Sequence, residues 1–359
     1  MTDAIYIHIP FCINRCQYCD FLSFKSTPQK RREYVEYLKK EIKLYPKYEY
    51  DTVYFGGGTP SLLEPGEIKD ILELLQVKDN AEVTLEVNPK SVDFEKLKAF
   101  RSAGINRLSI GVQSFDPHYL KLIGRLHTAA EAEEIYRDAR KAGFDNVSLD
   151  LMFSLPGQGI EDVKRDLAKI TELRPEHISI YSLIWEEGTP IYEKLVKGEL
   201  QETENELEAK MYELIIEFLK SEGYIHYEVS NFALPGKEAR HNTKYWENKE
   251  YIGAGLGSSG YTGNQRYKNA VNFKDYYGKI DNNEKPREET EEVNEKEKEE
   301  YRYILGLRLL EKGVEARGEY INKCLELEEK GYLMKKSGKY VLTPKGLMTA
   351  NDVFEEFIG

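Results

Sequence analysis

The run Ile5-Tyr6-Ile7-His8-Ile9-Pro10-Phe11-Cys12-Ile13-Asn14-Arg15-Cys16-Gln17-Tyr18-Cys19 holds two patterns. Its first five residues alternate, with three isoleucines on one side and Tyr6 and His8 on the other, as a strand with one apolar and one polar face requires. Its remainder carries three cysteines spaced C-x3-C-x2-C. Four more segments repeat the alternation. Val83, Leu85 and Val87 oppose Thr84, Glu86 and Asn88, and Leu108 and Ile110 oppose Ser109 and Gly111. Val147, Leu149 and Leu151 oppose Ser148 and Asp150, and Ile178 and Ile180 oppose Ser179 and Tyr181. A doubly wound sheet covered on both faces would be apolar on both. A curved sheet with helices outside and a ligand-filled lumen fits better.

Outward from this run, strand patterns at 5–9, 52–55, 82–87, 107–112, 146–151 and 177–181 alternate with helical patterns at 28–45, 65–75, 93–103, 129–142, 161–173 and 204–219. Such alternation predicts βα units, a parallel sheet and right-handed crossovers. The expected fold is α/β: a partial, open, about six-stranded βα barrel of TIM type over residues 1–222. A loop-rich, aromatic and glycine-rich segment (223–280), including Gly253-Ala254-Gly255-Leu256-Gly257-Ser258-Ser259-Gly260, is expected to close it. Residues 281–300 are dominated by charge and read as a solvated linker. Residues 301–359 pattern as two helices, a hairpin turning at Ser337-Gly338 and a last helix opened by Thr343-Pro344, a small winged-helix-like domain. Cys324 falls on its second helix as an ordinary buried cysteine.

With 51 Lys and Arg against 63 Asp and Glu, the chain of 359 residues has a formal charge of −12. That balance argues against a nucleic-acid partner. No apolar run approaches a membrane span. The segment at Met1 has neither a basic region nor an apolar core, so a cytoplasmic protein is expected.

Three thiolates do not complete a structural zinc site or an all-cysteine cubane, each of which takes four ligands. The fourth cysteine, Cys324, is remote in sequence. The simplest reading of Cys12, Cys16 and Cys19 is a [4Fe-4S] cluster with one iron left open to a small molecule. The other polar signatures also follow strands: Gly56-Gly57-Gly58-Thr59-Pro60, Asn88-Pro89, Gln113-Ser114, Asp150 and Ser182. In βα barrels the loops at the carboxyl ends of the strands build the site, so these elements converge on one mouth. The glycine run is not a P-loop, since it lacks the Gly-Lys-Ser/Thr ending, and ligand contact with bare backbone is the favoured reason for it. Glu86, Arg125 and Asp150 each admit two roles, ion pair or ligand contact.

Tyr6-x-His8-Ile9-Pro10-Phe11-Cys12-x3-Cys16-x-Tyr18-Cys19 resembles the radical S-adenosylmethionine (SAM) proteins. The likeness extends through Gly56–Pro60, Glu86-Val87-Asn88-Pro89, Gly111–Phe115 and Gly124-Arg125-x-His127. Within that superfamily the chain resembles the branch of oxygen-independent coproporphyrinogen III oxidase and its relatives. The resemblance implies that an electron from the reduced cluster cleaves SAM to a 5′-deoxyadenosyl radical. It also implies SAM contacts at Tyr6, Tyr18, Gly57, Gly58, Thr59, Glu86, Gln113, Arg125, Asp150 and Ile184. Two features depart from the oxidase: only five residues precede Tyr6, and Phe21 stands where that enzyme carries a further cysteine. Cys19-Asp20-Phe21, Tyr227–Ala233 and His241-Asn242-x2-Tyr245-Trp246 are instead similar to the heme chaperone branch. A heme chaperone is therefore expected, with heme or a porphyrin as ligand, a heme-acceptor protein and an electron donor as partners, and the oxidase as the alternative. His241 is a candidate axial ligand or a histidine holding a turn. Tyr245 and Trp246 either stack on a porphyrin or pack under the loop.

Overall fold

The computed structural model describes residues 2–359. Six strands form the parallel core of a nine-stranded sheet: β1 (Ala4–Ile9), β2 (Glu49–Gly57), β3 (Gln76–Val87), β4 (Arg107–Gln113), β5 (Val147–Phe153) and β6 (His177–Ser182). Consecutive strands pair in parallel along the whole series. The connecting helices are α1 (Pro28–Lys43), α2 (Pro65–Leu72), α3 (Phe94–Ala103), α4 (Pro117–Leu122), α5 (Ala129–Lys141) and α6 (Ile160–Leu173). Ile5, Ile7 and Ile9 of β1 are completely buried against this helical layer, with Leu85, Leu108, Ile110, Leu149 and Ile178 in the same core. The polar residues of the strands turn the other way and line the lumen, so the alternation sets the curvature and the contents of the barrel together.

Helix starts follow local chemistry. Thr27, Asp93 and Thr128 accept hydrogen bonds from backbone amides in the first turns of α1, α3 and α5. Such caps satisfy amides that the helix leaves unpaired.

The segment expected to be loop-rich contains more order than its composition suggests. After α7 (Pro190–Val196) and α8 (Asn205–Ser221) come β7 (Ile225–Glu228) and β8 (Asn231–Ala233); β8 pairs antiparallel with β6, and β7 antiparallel with β8. Then α9 (Arg240–Trp246) is followed by β9 (Ile252–Ala254), which pairs in parallel with β1. The sheet order runs from β7 at one edge to β9 at the other, and the barrel stays open. β10 (Ser259–Thr262) and β11 (Gln265–Asn269) form a hairpin, and α10 (Phe273–Asp281) packs beside α1. The segment expected to be a solvated linker holds β12 (Arg287–Glu292), paired with β11. Its residues are almost all exposed, and besides the backbone pairing its order comes from Arg287 over the Tyr267 ring (3.9 Å) and from Glu288, which accepts from the Val271 amide (3.2 Å).

The C-terminal residues build α11 (Glu295–Gly306), α12 (Tyr320–Glu329), the hairpin β13 (Leu333–Lys336) and β14 (Lys339–Leu342), and two short helices, α13 (Pro344–Met348) and α14 (Ala350–Glu355). They enclose a core of their own in which Cys324 is fully buried. Among the described residues no helix is long and apolar enough to cross a membrane.

Candidate active site at the barrel mouth

The cysteine loop is pinned from three sides. The Cys12 amide donates to Phe24 O (3.1 Å), the Gln17 amide to Ile123 O (2.9 Å) and the Ile191 amide to Gln17 O (3.0 Å). Cys12, Cys16 and Cys19 thereby face one pocket together with Tyr18, Gly57, Gly58, Thr59, Glu86, Gln113, Arg125 and Asp150. Eleven of the thirteen residues expected to hold the cluster and SAM thus share one cavity, which encloses about 160 Å³. The other two stand apart. Tyr6 lies on the lumen face of β1 but faces the neighbouring cavity, and Ile184 is 65 % exposed and lies outside the lining.

The electrostatics of the pocket are arranged around the thiols. The Arg125 Nη1 group donates to Cys16 Sγ (3.5 Å), its Nη2 group donates to the Gly111 carbonyl, and its buried Nε has no partner among the described residues. Thr59 Oγ1 donates to Cys12 Sγ (3.5 Å). Burial pushes the Cys19 thiol up to about 11, with the other two thiols adding to the effect. Metal binding to such a site releases protons, because thiolate rather than thiol is the ligand.

The fit to an iron–sulfur cluster rests on this donor set. All four cysteines are free thiols. The three at the mouth line one pocket. Three thiolates fill three corners of a cube and leave the fourth to another ligand, and Arg125 supplies positive charge beside them.

Deeper in the lumen, Glu86 accepts from Tyr54 OH (2.9 Å) and from the Gly57 amide (3.2 Å). Burial pushes its carboxyl up to about 7, and the nearby Asp150 charge adds to the rise. Asp150 accepts from Ser109 and Ser148 hydroxyls (3.0 and 3.1 Å), and burial likewise raises its pKa. Between its ordinary value and about 7, Glu86 keeps its proton in the fold and loses it in the unfolded chain. Stability from this group is therefore lost as pH rises through that window, up to about 3 kcal/mol. Glu86→Gln should raise the melting temperature more at pH 8 than at pH 5. An equal change at both pH values in thermal unfolding scans would contradict the assignment.

The glycine run has an internal cause as well as an exposed backbone. A Cβ at Gly56 would strike the Tyr6 ring (2.7 Å), one at Gly57 the His8 ring (2.5 Å) and one at Gly58 the Phe11 carbonyl (2.7 Å). Gly57 also has φ of +111°, which other residues rarely adopt. Gln113 holds a left-handed conformation (φ +72°), and its side-chain oxygen accepts from Tyr181 OH (2.9 Å). Ser114, singled out after β4, points away from the pocket and donates to the buried Asp166 of α6 (2.8 Å).

Of the three candidate heme residues, His241 and Tyr245 lie together and Trp246 stands apart. His241 is fully buried, with Nδ1 bonded to Thr52 Oγ1 (2.8 Å) and Nε2 to Tyr245 OH (2.7 Å), and its ring stacks on Tyr54 at 5.2 Å. Both ring nitrogens are hydrogen-bonded here, an arrangement that fits a histidine holding its segment in place. Trp246 stacks under the guanidinium of Arg308, just after α11 (4.4 Å). Tyr245 alone reaches a large cavity, beside Tyr6.

Several lumen residues escaped the sequence reading. Arg107 is 2 % exposed and supplies positive charge to Glu86 and Asp150. His177 bridges Ser148 Oγ (2.8 Å) and Tyr227 OH (2.9 Å). Arg107 shares the face of Ser109, so the β4 alternation extended back by one step would have found it.

The family model described as Radical SAM superfamily matches residues 6–170. The chain is 37 % identical to the heme chaperone HemW of Lactococcus lactis subsp. lactis (strain IL1403), over 99 % of this chain and 97 % of the relative. It is also 37 % identical to the heme chaperone HemW of Bacillus subtilis (strain 168), over 99 % of each. Coproporphyrinogen III oxidase (HemN) from Escherichia coli, a radical SAM enzyme, superposes with a TM-score of 0.83 at 22 % identity, covering 99 % of this chain and 89 % of that one.

Proposed function

Because the chain belongs to the heme chaperone HemW family of the radical SAM superfamily, we propose that it binds heme and passes it to an acceptor protein, with a [4Fe-4S] cluster and SAM held at the barrel mouth. The observation that carries this reading is 37 % identity over essentially the full length of both chains. The likeness to HemN supports the fold and leaves its reaction as the alternative.

Cys12, Cys16 and Cys19 would hold three irons of the cluster. When bound, the reduced cluster supplies one electron to the sulfonium of SAM. Arg125 offsets the charge of the thiolates from 3.5 Å and, being always protonated, does so at any working pH. Thr59 donates to Cys12 and orients it. Gly57 and Gly58 leave backbone bare on the wall facing the cysteines, where the methionyl end of SAM would lie. Glu86 and Asp150 are acceptors for the ribose hydroxyls, and Tyr54, Ser109 and Ser148 hold those carboxylates in place. Tyr18 and Gln113 line the remainder; Tyr6 acts from beneath by packing on Gly56. Ile184 would contact SAM only as a rim residue. An electron donor is a required partner of this chemistry. Free thiols suit a reducing compartment, and we assign the protein to the cytoplasm.

Anaerobic reconstitution with iron and sulfide, followed by heme titration and mixing with an apo-acceptor, tests the reading. The expected result is a saturable Soret band that moves to the acceptor. Conversion of coproporphyrinogen III to a divinyl product with SAM and reductant, or no heme binding, would overturn it.

A further inference from the structure

A second cavity, about 780 Å³ in volume, adjoins the cluster pocket and shares Arg15 and Phe21 with it. It is bounded by β1, by the segment after the third cysteine and by the β9–β11 region. Its volume lies within the range of small-molecule sites, roughly 300–1,000 Å³. Three observations mark its ligand as flat, apolar and anionic. The walls are aromatic, with Tyr6, Tyr245 and Tyr251 on one side and Phe21 and Phe24 on another. Phe21 is 62 % exposed, a large apolar ring left without cover beside the mouth. The charged lining is Arg15, Lys268 and a single acid, Asp20, in a chain whose net charge is −12. Lys268 is exposed and stands opposite Glu289 in the β11–β12 ladder.

The glycine-rich run after β9, so far without a role, belongs to this cavity. Gly257, Ser258 and Ser259 line it. Gly257 has φ of +73°, and a Cβ there would strike Leu22 at 2.4 Å, so glycine lets the two walls close on each other. Another cavity, about 600 Å³ near α9 and the segment after α11, differs in kind. Its cations are already paired, Lys244 with Asp51 (3.2 Å) and Lys312 with Glu247 (2.6 Å).

We propose that this cavity is the heme site: the macrocycle lies against Tyr6, Phe21, Tyr245 and Tyr251, and the two propionates meet Arg15 and Lys268. The proposal rests on the heme chaperone reading and adds where the heme sits. It puts the porphyrin edge beside the SAM pocket, with Arg15 and Phe21 touching both.

The test uses the full chain under anaerobic conditions, with iron protoporphyrin IX and its dimethyl ester as probes. Lys268→Glu should weaken binding of the free acid about fivefold or more and leave the ester unchanged, because only the acid carries propionate charge. Ser259→Trp should weaken both probes by filling space. Neither variant should alter the iron–sulfur absorption. Lys268 is exposed, so its replacement empties no core space, and thermal unfolding checks that each variant is folded; if Ser259→Trp is not, the acid–ester comparison at position 268 decides alone. Wild-type affinity in Lys268→Glu for both probes would overturn this site while leaving the chaperone reading standing. Absence of heme binding by the wild type would overturn both.

Discussion

Serine at position 16 should reduce cluster retention after anaerobic reconstitution by more than about 100-fold, beyond the 10–100-fold typical of an outer-shell partner. Cys16 is one of only three thiols on the pocket wall, so no spare ligand stands in for it. Arg125→Gln tests the outer shell. Its guanidinium touches Cys16 Sγ and the Gly111 carbonyl, so the variant should keep the ligands and lose 10–100-fold in retention. Cys324→Ser is the matching control. That thiol is buried in the separate C-terminal core, and its loss should leave iron content unchanged. Iron and sulfide analysis with the visible spectrum reads all three. Equal iron in wild type and Cys16→Ser, or one zinc per chain in place of iron, would remove the basis of the site.

The ranking of these variants follows from features that were legible in sequence to different degrees. The period-two alternation of β1 and β3–β6 identified the lumen face, and with it Glu86 and Asp150, because a side chain's face on a strand depends only on its parity. The same logic reaches Arg107 once the strand is counted from its first residue. The short edge strands β7, β8 and β9, of three or four residues, give too few alternations to stand out from loop. β12 is harder still. Arg287-Glu-Glu-Thr-Glu-Glu292 is composed like a solvated tether, and it is ordered by contacts distant in sequence, the pairing with β11 and Arg287 over the Tyr267 ring. The glycine run was visible, but its packing against Tyr6, His8 and Phe11 is a tertiary fact that no local pattern encodes. Of the positions named by likeness alone, Tyr18 lines the pocket and Ile184 lies outside its lining.

His241→Ala should act on stability rather than on heme affinity. The substitution removes the partners of Thr52 Oγ1 and Tyr245 OH, empties space beside Tyr54 and opens a void under α9. Loss of a buried side chain together with stranded hydroxyls predicts a destabilisation of about 3–5 kcal/mol. The pH dependence identifies the mechanism. Burial, aided by the nearby Lys244 and Arg107 charges, holds the His241 ring neutral, with its pKa down to about 3. The unfolded chain takes up that proton below its ordinary value of 6.5, so the neutral ring's contribution is complete above pH 6.5 and is lost as pH falls toward 3. The stability gap between wild type and His241→Ala should therefore narrow by about 1.4 kcal/mol per pH unit below 6.5. Heme affinity per folded molecule should change by no more than about threefold, because the cavity wall is Tyr245 and not the histidine. An axial ligand would give the opposite signature: a loss of heme binding with an altered Soret position, an unchanged melting temperature and a stability gap that does not move with pH. Unfolding scans at pH 7.5 and pH 5.5, run beside heme titrations of the same preparations, separate the two outcomes.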